Sequence, residues 1–157
     1  MRKEKTKIKK EDIPVLLNIS PSDHLVVHPE KCSGCEVCVL ICSLFHNGVF
    51  SPSLARIKIP KVGCVDYMID VCRQCLAPDC MYTCPVGAIY VDPKTGCSMV
   101  AEKKCNGCKK CVDACLFGMM FFDEVKNVAF KCDLCGGDPQ CVKYCTMKAI
   151  EYVKAKK

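Results

Sequence analysis

An α+β fold made by duplication, with short strands and short helices gathered around cysteine-bound centres, is what this sequence predicts. Three observations carry that expectation. Eighteen of the 157 residues are cysteine, and sixteen of them fall into four groups of four. The groups are Cys32, Cys35, Cys38 and Cys42; Cys72, Cys75, Cys80 and Cys84; Cys105, Cys108, Cys111 and Cys115; and Cys132, Cys135, Cys141 and Cys145. Their spacings alternate: the first and third read C-x2-C-x2-C-x3-C, the second C-x2-C-x4-C-x3-C and the fourth C-x2-C-x5-C-x3-C. Short apolar runs also recur at matching places around them, as internal duplication produces.

In chain order, residues 1–24 form a basic extension, and Leu25, Val26 and Val27 predict a strand leading into the first motif. The C-x3-C step of each motif opens a short helix. Residues 43–71 depart from the repeat and read as an insertion, a natural partner surface. Within it Arg56, Ile57, Lys58 and Ile59 alternate like an exposed strand, stopped by Pro60. Motif two is followed by the apolar run Ala88 to Val91, and motif four by Ala149 to Val153, which align with one another. Met99 to Ala101 and Asn127 to Phe130 lead into motifs three and four. Turns are expected at residues 92–96 and 136–139, rich in Asp, Pro and Gly. One domain therefore spans residues 25–153, with a basic tail at 154–157.

Closely spaced thiolates can wrap one small inorganic cube, and C-x2-C-x2-C-x3-C is the spacing of [4Fe–4S] ligands in bacterial-type ferredoxins. In two-cluster ferredoxins the last cysteine of such a run serves the other cluster, so motifs are linked in pairs. Four motifs imply four [4Fe–4S] clusters in a duplicated bacterial-ferredoxin-like fold. A disulfide framework is the first rival. It is disfavoured because the opening Met1-Arg2-Lys3-Glu4-Lys5 has no apolar export segment. Structural zinc, the second rival, takes two C-x2-C pairs set well apart, not a third cysteine at once and a fourth four residues later.

Composition agrees. Half the chain counts as hydrophobic, but without its cysteines only about 38% is left to build a core, so clusters must replace part of it. The net charge of +6 comes from the ends, six Lys/Arg against three acids in residues 1–12 and three Lys in 154–157. The remaining stretch is neutral before four clusters add about −8. Nucleic-acid binding is thereby disfavoured, and the Lys-rich ends read as solubilising tails. No run is long enough to cross a membrane and no twin-arginine signal is present, so a cytoplasmic protein is expected. No phosphate loop, dinucleotide glycine fingerprint or acid/base set appears, which leaves no catalytic residue to nominate.

The motif order resembles the four-cluster ferredoxin-like subunits that serve molybdenum and tungsten oxidoreductases, nickel–iron hydrogenases and carbon monoxide dehydrogenase. The resemblance implies nested ligand exchange between motifs one and four and between two and three. Cys32, Cys35, Cys38 and Cys145 would hold one cluster, and Cys132, Cys135, Cys141 and Cys42 its neighbour. Cys72, Cys75, Cys80 and Cys115 would hold a third, and Cys105, Cys108, Cys111 and Cys84 the fourth. The proline usual after the last cysteine survives only at Pro85. Cys42-Ser43-Leu44-Phe45-His46 followed by Pro52 to Ile57, with the short motif four, is most similar to small proteins that accompany aldehyde:ferredoxin oxidoreductase-family tungsten enzymes, including tungsten benzoyl-CoA reductase. That implies a non-catalytic electron carrier between a large tungsten or molybdenum subunit and a ferredoxin or another redox subunit. The alternatives are a hydrogenase, carbon monoxide dehydrogenase or formate dehydrogenase subunit, or a free-standing polyferredoxin.

Cys64 and Cys97 belong to no motif and are expected as buried free thiols. His46, one helical turn beyond Cys42, reads as an ordinary surface or structural histidine, with a hydrogen bond toward a cluster as the sharper alternative. Phe117, Phe121, Phe122 and the nearby methionines are expected to shield clusters from water.

Overall fold

Strand β1 (His24–Val27) pairs antiparallel with the last strand, β10 (Ile150–Val153), so the two ends of the domain are clasped together. The computed structural model describes residues 22–64 and 66–155. The basic run at residues 1–21 and the last two lysines lie outside the described residues. After β1 comes α1 (Val37–Asn47), then two nested ribbons: β2 (Ile57–Lys58) with β5 (Asp70–Val71), enclosing β3 (Lys61–Val62) with β4 (Asp66–Tyr67). Next follow α2 (Asp79–Tyr82) and the hairpin β6 (Ile89–Val91)–β7 (Ser98–Val100). The chain continues through α3 (Lys110–Asp113), the hairpin β8 (Phe121–Asp123)–β9 (Val128–Phe130) and α4 (Gln140–Lys143) before β10. The turn expected at 92–96 is closed by Asp92, whose Oδ2 accepts from the Thr95 N–H at 2.9 Å and hydroxyl at 2.7 Å.

Two-stranded ribbons are marginal alone; these are held by packing against the motifs. Helix α1 packs on α4 and α2 on α3, so motif one meets motif four and motif two meets motif three. Each pairing has its own core. Leu25, Val39, Leu134 and Ile150 surround Cys38, Cys42, Cys132 and Cys141 in the first. Ile89, Met120 and Ala129 pack with Cys111 in the second, edged by Cys80, Cys84, Cys105 and Cys115.

Duplication is written into the backbone. The second residue between the first two cysteines of every motif is left-handed: Gly34 (φ 70°), Gln74 (49°), Gly107 (72°) and Leu134 (54°). The third residue past the last cysteine repeats this in motifs two to four, at Gly87, Gly118 and Lys148. Motif one departs because α1 runs on to Asn47 and ends at Gly48. Gly34 and Gly107 have a second reason to be glycine. A Cβ would stand 2.3 Å from the Tyr67 ring at the first and 2.4 Å from Asn127 Oδ1 at the second.

Two expectations change. Residues 56–59 do alternate, but their apolar side faces inward: Ile57 and Ile59 are buried and Lys58 is exposed. With Ala55, Ile69 and Val71 they complete the first core, because the 11-residue α1 carries an apolar face that the motif cysteines alone do not cover. The insertion is thus structural as well as superficial. Phe121 does pack with Met119 and Phe130 against Cys72 and Cys115, and Phe122 lies on the second core. Phe117 instead lies exposed, outside these apolar clusters, with the Arg73 guanidinium 6.0 Å above its ring.

Candidate metal centres

Each motif presents its sulfurs from a left-handed loop followed by one or more helical turns. No disulfide joins any of the eighteen cysteines. Cys35, Cys75 and Cys108, the second cysteines of motifs one to three, are exposed, while Cys38, Cys111, Cys132 and Cys141 are buried. The last cysteine of every motif accepts a backbone hydrogen bond. The N–H of Ala88 donates to Cys84 Sγ at 3.3 Å, that of Met119 to Cys115 Sγ at 3.3 Å, and that of Ala149 to Cys145 Sγ at 3.2 Å. Cys42 receives its bond from Arg56 N–H at 3.3 Å, fourteen residues on, because α1 keeps nearer donors engaged. Such bonds favour the thiolate and tune a bound cluster.

The sulfurs meet across motifs. Burial pushes the Cys38 thiol up to about 12, and Cys32, Cys35 and Cys145 push the same way. Burial raises Cys135 to about 11, with Asp133 and Cys42 adding to it. Cys141 is raised by burial and then by Cys135, Cys42 and Cys38. Burial likewise raises Cys75 and Cys80, each with Cys72 and Cys115 as neighbours. Cys111 is driven to about 11 by burial, helped by Cys105, Cys84 and Cys80. Buried Cys132 is raised by burial and feels both Cys141 and Cys72, the point where the two motif pairs adjoin. Sulfurs set this close cannot ionise together without compensating positive charge. Thiolate-rich sites of this kind suit soft metals and iron–sulfur clusters.

Several neighbours were not legible beforehand. His46, 9% exposed at its side chain, is more than an ordinary surface histidine: its Nε2 lies 3.7 Å from Cys135 Sγ and 3.4 Å from Asp133 Oδ1. Asp133 also pairs with Arg56 and accepts the Cys135 N–H at 3.0 Å. Burial, then the Arg56 charge, lowers the His46 pKa. Cys97 is fully buried as expected. Cys64 is not: it is exposed beside Gly63, whose left-handed φ of 69° makes the turn between β3 and β4. A two-residue ribbon leaves its turn too far from either core to be covered.

Paired motifs on duplicated short α/β units, with thiols brought together from distant segments, define an iron–sulfur protein of the ferredoxin type. Comparison with known proteins agrees. The 4Fe-4S dicluster domain family matches residues 64–155, and a 4Fe-4S binding domain matches residues 29–45. The polyferredoxin-like subunit of an aliphatic sulfonate oxidoreductase from Pyrococcus furiosus is 39% identical over 121 residues, covering 77% of this chain and 70% of that one. A tetrathionate reductase subunit from Archaeoglobus fulgidus is 35% identical, over 70% of this chain and 53% of its own length. The beta subunit of the NADH-dependent phenylglyoxylate dehydrogenase of Aromatoleum evansii is 33% identical over 80% of this chain, which spans 29% of that relative. Among solved structures, the BamBC complex of benzoyl coenzyme A reductase with 1,5-dienoyl-CoA contains a chain of like fold. Its TM-score is 0.50 at 19% identity, covering 86% of this chain and 77% of that one. This chain belongs to the 4Fe-4S dicluster ferredoxin family: it is an electron-transfer protein that holds [4Fe–4S] clusters on cysteine.

Proposed function

We propose that this chain is the non-catalytic electron-transfer subunit of an oxidoreductase complex, with four [4Fe–4S] clusters in nested ligation. The sets are Cys32, Cys35, Cys38 and Cys145; Cys132, Cys135, Cys141 and Cys42; Cys72, Cys75, Cys80 and Cys115; and Cys105, Cys108, Cys111 and Cys84. The observation that carries this reading is the packing of α1 on α4 and α2 on α3, with sulfurs of one motif lying among those of its partner. When bound, the clusters supply one-electron exchange. The chain's residues fix them in order along the domain, exclude water with Met119, Met120, Phe121 and Phe130, and donate N–H bonds to sulfur.

The catalytic partner is a large tungsten or molybdenum subunit of the aldehyde oxidoreductase or benzoyl-CoA reductase type, with a ferredoxin or another redox subunit at the other end. The motif-one sequence through Ile57 supports that choice, and the Pyrococcus relative is itself named as an oxidoreductase subunit. Among the described residues no helix is long and apolar enough to span a membrane. The domain limits are 25–153 with basic ends, and the compartment is the cytoplasm, whose reducing conditions keep cysteine sulfur available as a ligand. Anaerobic purification tests the reading. About sixteen iron and sixteen sulfide per chain, with co-elution of a pterin-containing large subunit, is the expected result. Stoichiometric zinc without a brown chromophore would sink it, and a lone monomer would favour a free-standing carrier.

A further inference from the structure

One buried cation has no place in the ligand sets. Lys131 is 3% exposed, lies just ahead of Cys132, and joins none of the ion pairs formed by the described residues. Its Nζ donates to Ser98 O at 2.7 Å, to Gln74 Oε1 at 3.2 Å and to Ser98 Oγ. Three donors meet three acceptors, which satisfies a full ammonium group in hydrogen bonds but leaves its charge uncompensated. Burying an uncompensated charge is costly, so a negative group must lie near.

The holder of this lysine explains a strained residue. Gln74 occupies the left-handed position inside the C-x2-C of motif two where motifs one and three use glycine. It is buried, donates Nε2 to Cys132 O at 2.8 Å and accepts the Ser98 N–H at 3.2 Å. Motif two is thereby bolted to motif four, with the ammonium at the bolt. Gln74 lies between Cys72 and Cys75, so the ammonium it accepts from stands against the motif-two loop.

We propose that Lys131, held by Gln74 and Ser98, sets the reduction potential of the cluster bound by Cys72, Cys75, Cys80 and Cys115, raising it so that electrons rest where the two motif pairs join. A fixed positive charge favours the more negative, reduced form, and low dielectric strengthens the effect. The inference rests on the nested ligand sets proposed above.

The test is a redox titration of the full-length holo-protein followed by electron paramagnetic resonance, for wild type, Lys131→Met, Lys131→Arg and Gln74→Glu. Lys131→Met is expected to lower one of four midpoint potentials by at least a tenfold change in the reduction equilibrium, about 59 mV for a one-electron couple. The other three stay in place, and Lys131→Arg keeps the wild-type value. Gln74→Glu, which sets a carboxylate against the ammonium, lowers the same potential and decides the matter if Lys131→Met does not assemble. Adding Cys75→Ser alters the shifted signal and no other. Unmoved potentials, an equal shift of all four, or loss of iron by both lysine variants would overturn the proposal. Fewer than four clusters in the wild type would instead overturn the ligand sets.

Discussion

At the scale of single residues, the last cysteine of each motif accepts a backbone N–H on its sulfur, and in the nested ligation proposed above it also serves a distant cluster. Cys42→Ser is therefore expected to damage the cluster of Cys132, Cys135 and Cys141, leaving that of Cys32, Cys35, Cys38 and Cys145 intact. Iron content should fall while three paramagnetic signals persist; loss confined to the Cys32 cluster would contradict nested ligation. The motif glycines have a steric role of their own. Gly107→Ala puts a methyl group 2.4 Å from Asn127 Oδ1 in a left-handed backbone, so the Cys105–Cys108 loop must shift. It should cost about 1–3 kcal/mol, read as a lower thermal midpoint and faster cluster loss in air. The cysteines were legible because ligand spacing is local. Lys131, Asp133 and the setting of His46 were not, since each is defined by partners more than thirty residues away.

At the scale of elements, α1 and the clasp of β1 on β10 decide which motifs meet. The alternation at residues 56–59 marked a strand correctly, yet its apolar face turned inward, because period-two alternation does not say which side is wet. Ile57, almost wholly buried, anchors β2 beneath α1. Ile57→Ala should cost about 2–5 kcal/mol, measurable as a shift in denaturant midpoint with clusters retained. The clasp carries a pH signature. Tyr152 on β10 donates its hydroxyl to Asp23, ahead of β1, and burial followed by that bond raises its pKa above the ordinary 10.0. The folded state then holds a proton the unfolded chain releases, so this contribution is complete below pH 10 and is lost as pH rises above it. Tyr152→Phe should flatten that alkaline loss; an unchanged slope in unfolding experiments at pH 9–12 would refute the assignment.

At the scale of the whole molecule, both cores are built around motif sulfurs, so with the proposed ligation stability and cluster content are one quantity. Removing iron with a chelator under mild oxidation should abolish the cooperative thermal transition seen by circular dichroism, and reconstitution should restore it. A chain that kept its transition without iron would show that the apolar residues suffice alone. Much of this was readable in one dimension: the number of centres, the ligand type and the duplicated units follow from spacing and short-range periodicity. The nested pairing of motifs was implied by resemblance, and the junction of the two halves was not implied at all. What the sequence by itself determined is the inventory of sulfurs and the local loops that aim them, since both depend on neighbours a few residues apart. What only the tertiary structure decided is which loops face each other, which insertion residues close the core, and that Gln74 and Ser98 hold a buried lysine between the halves. Those are contacts between distant segments, selected by packing and charge compensation, which no local pattern encodes.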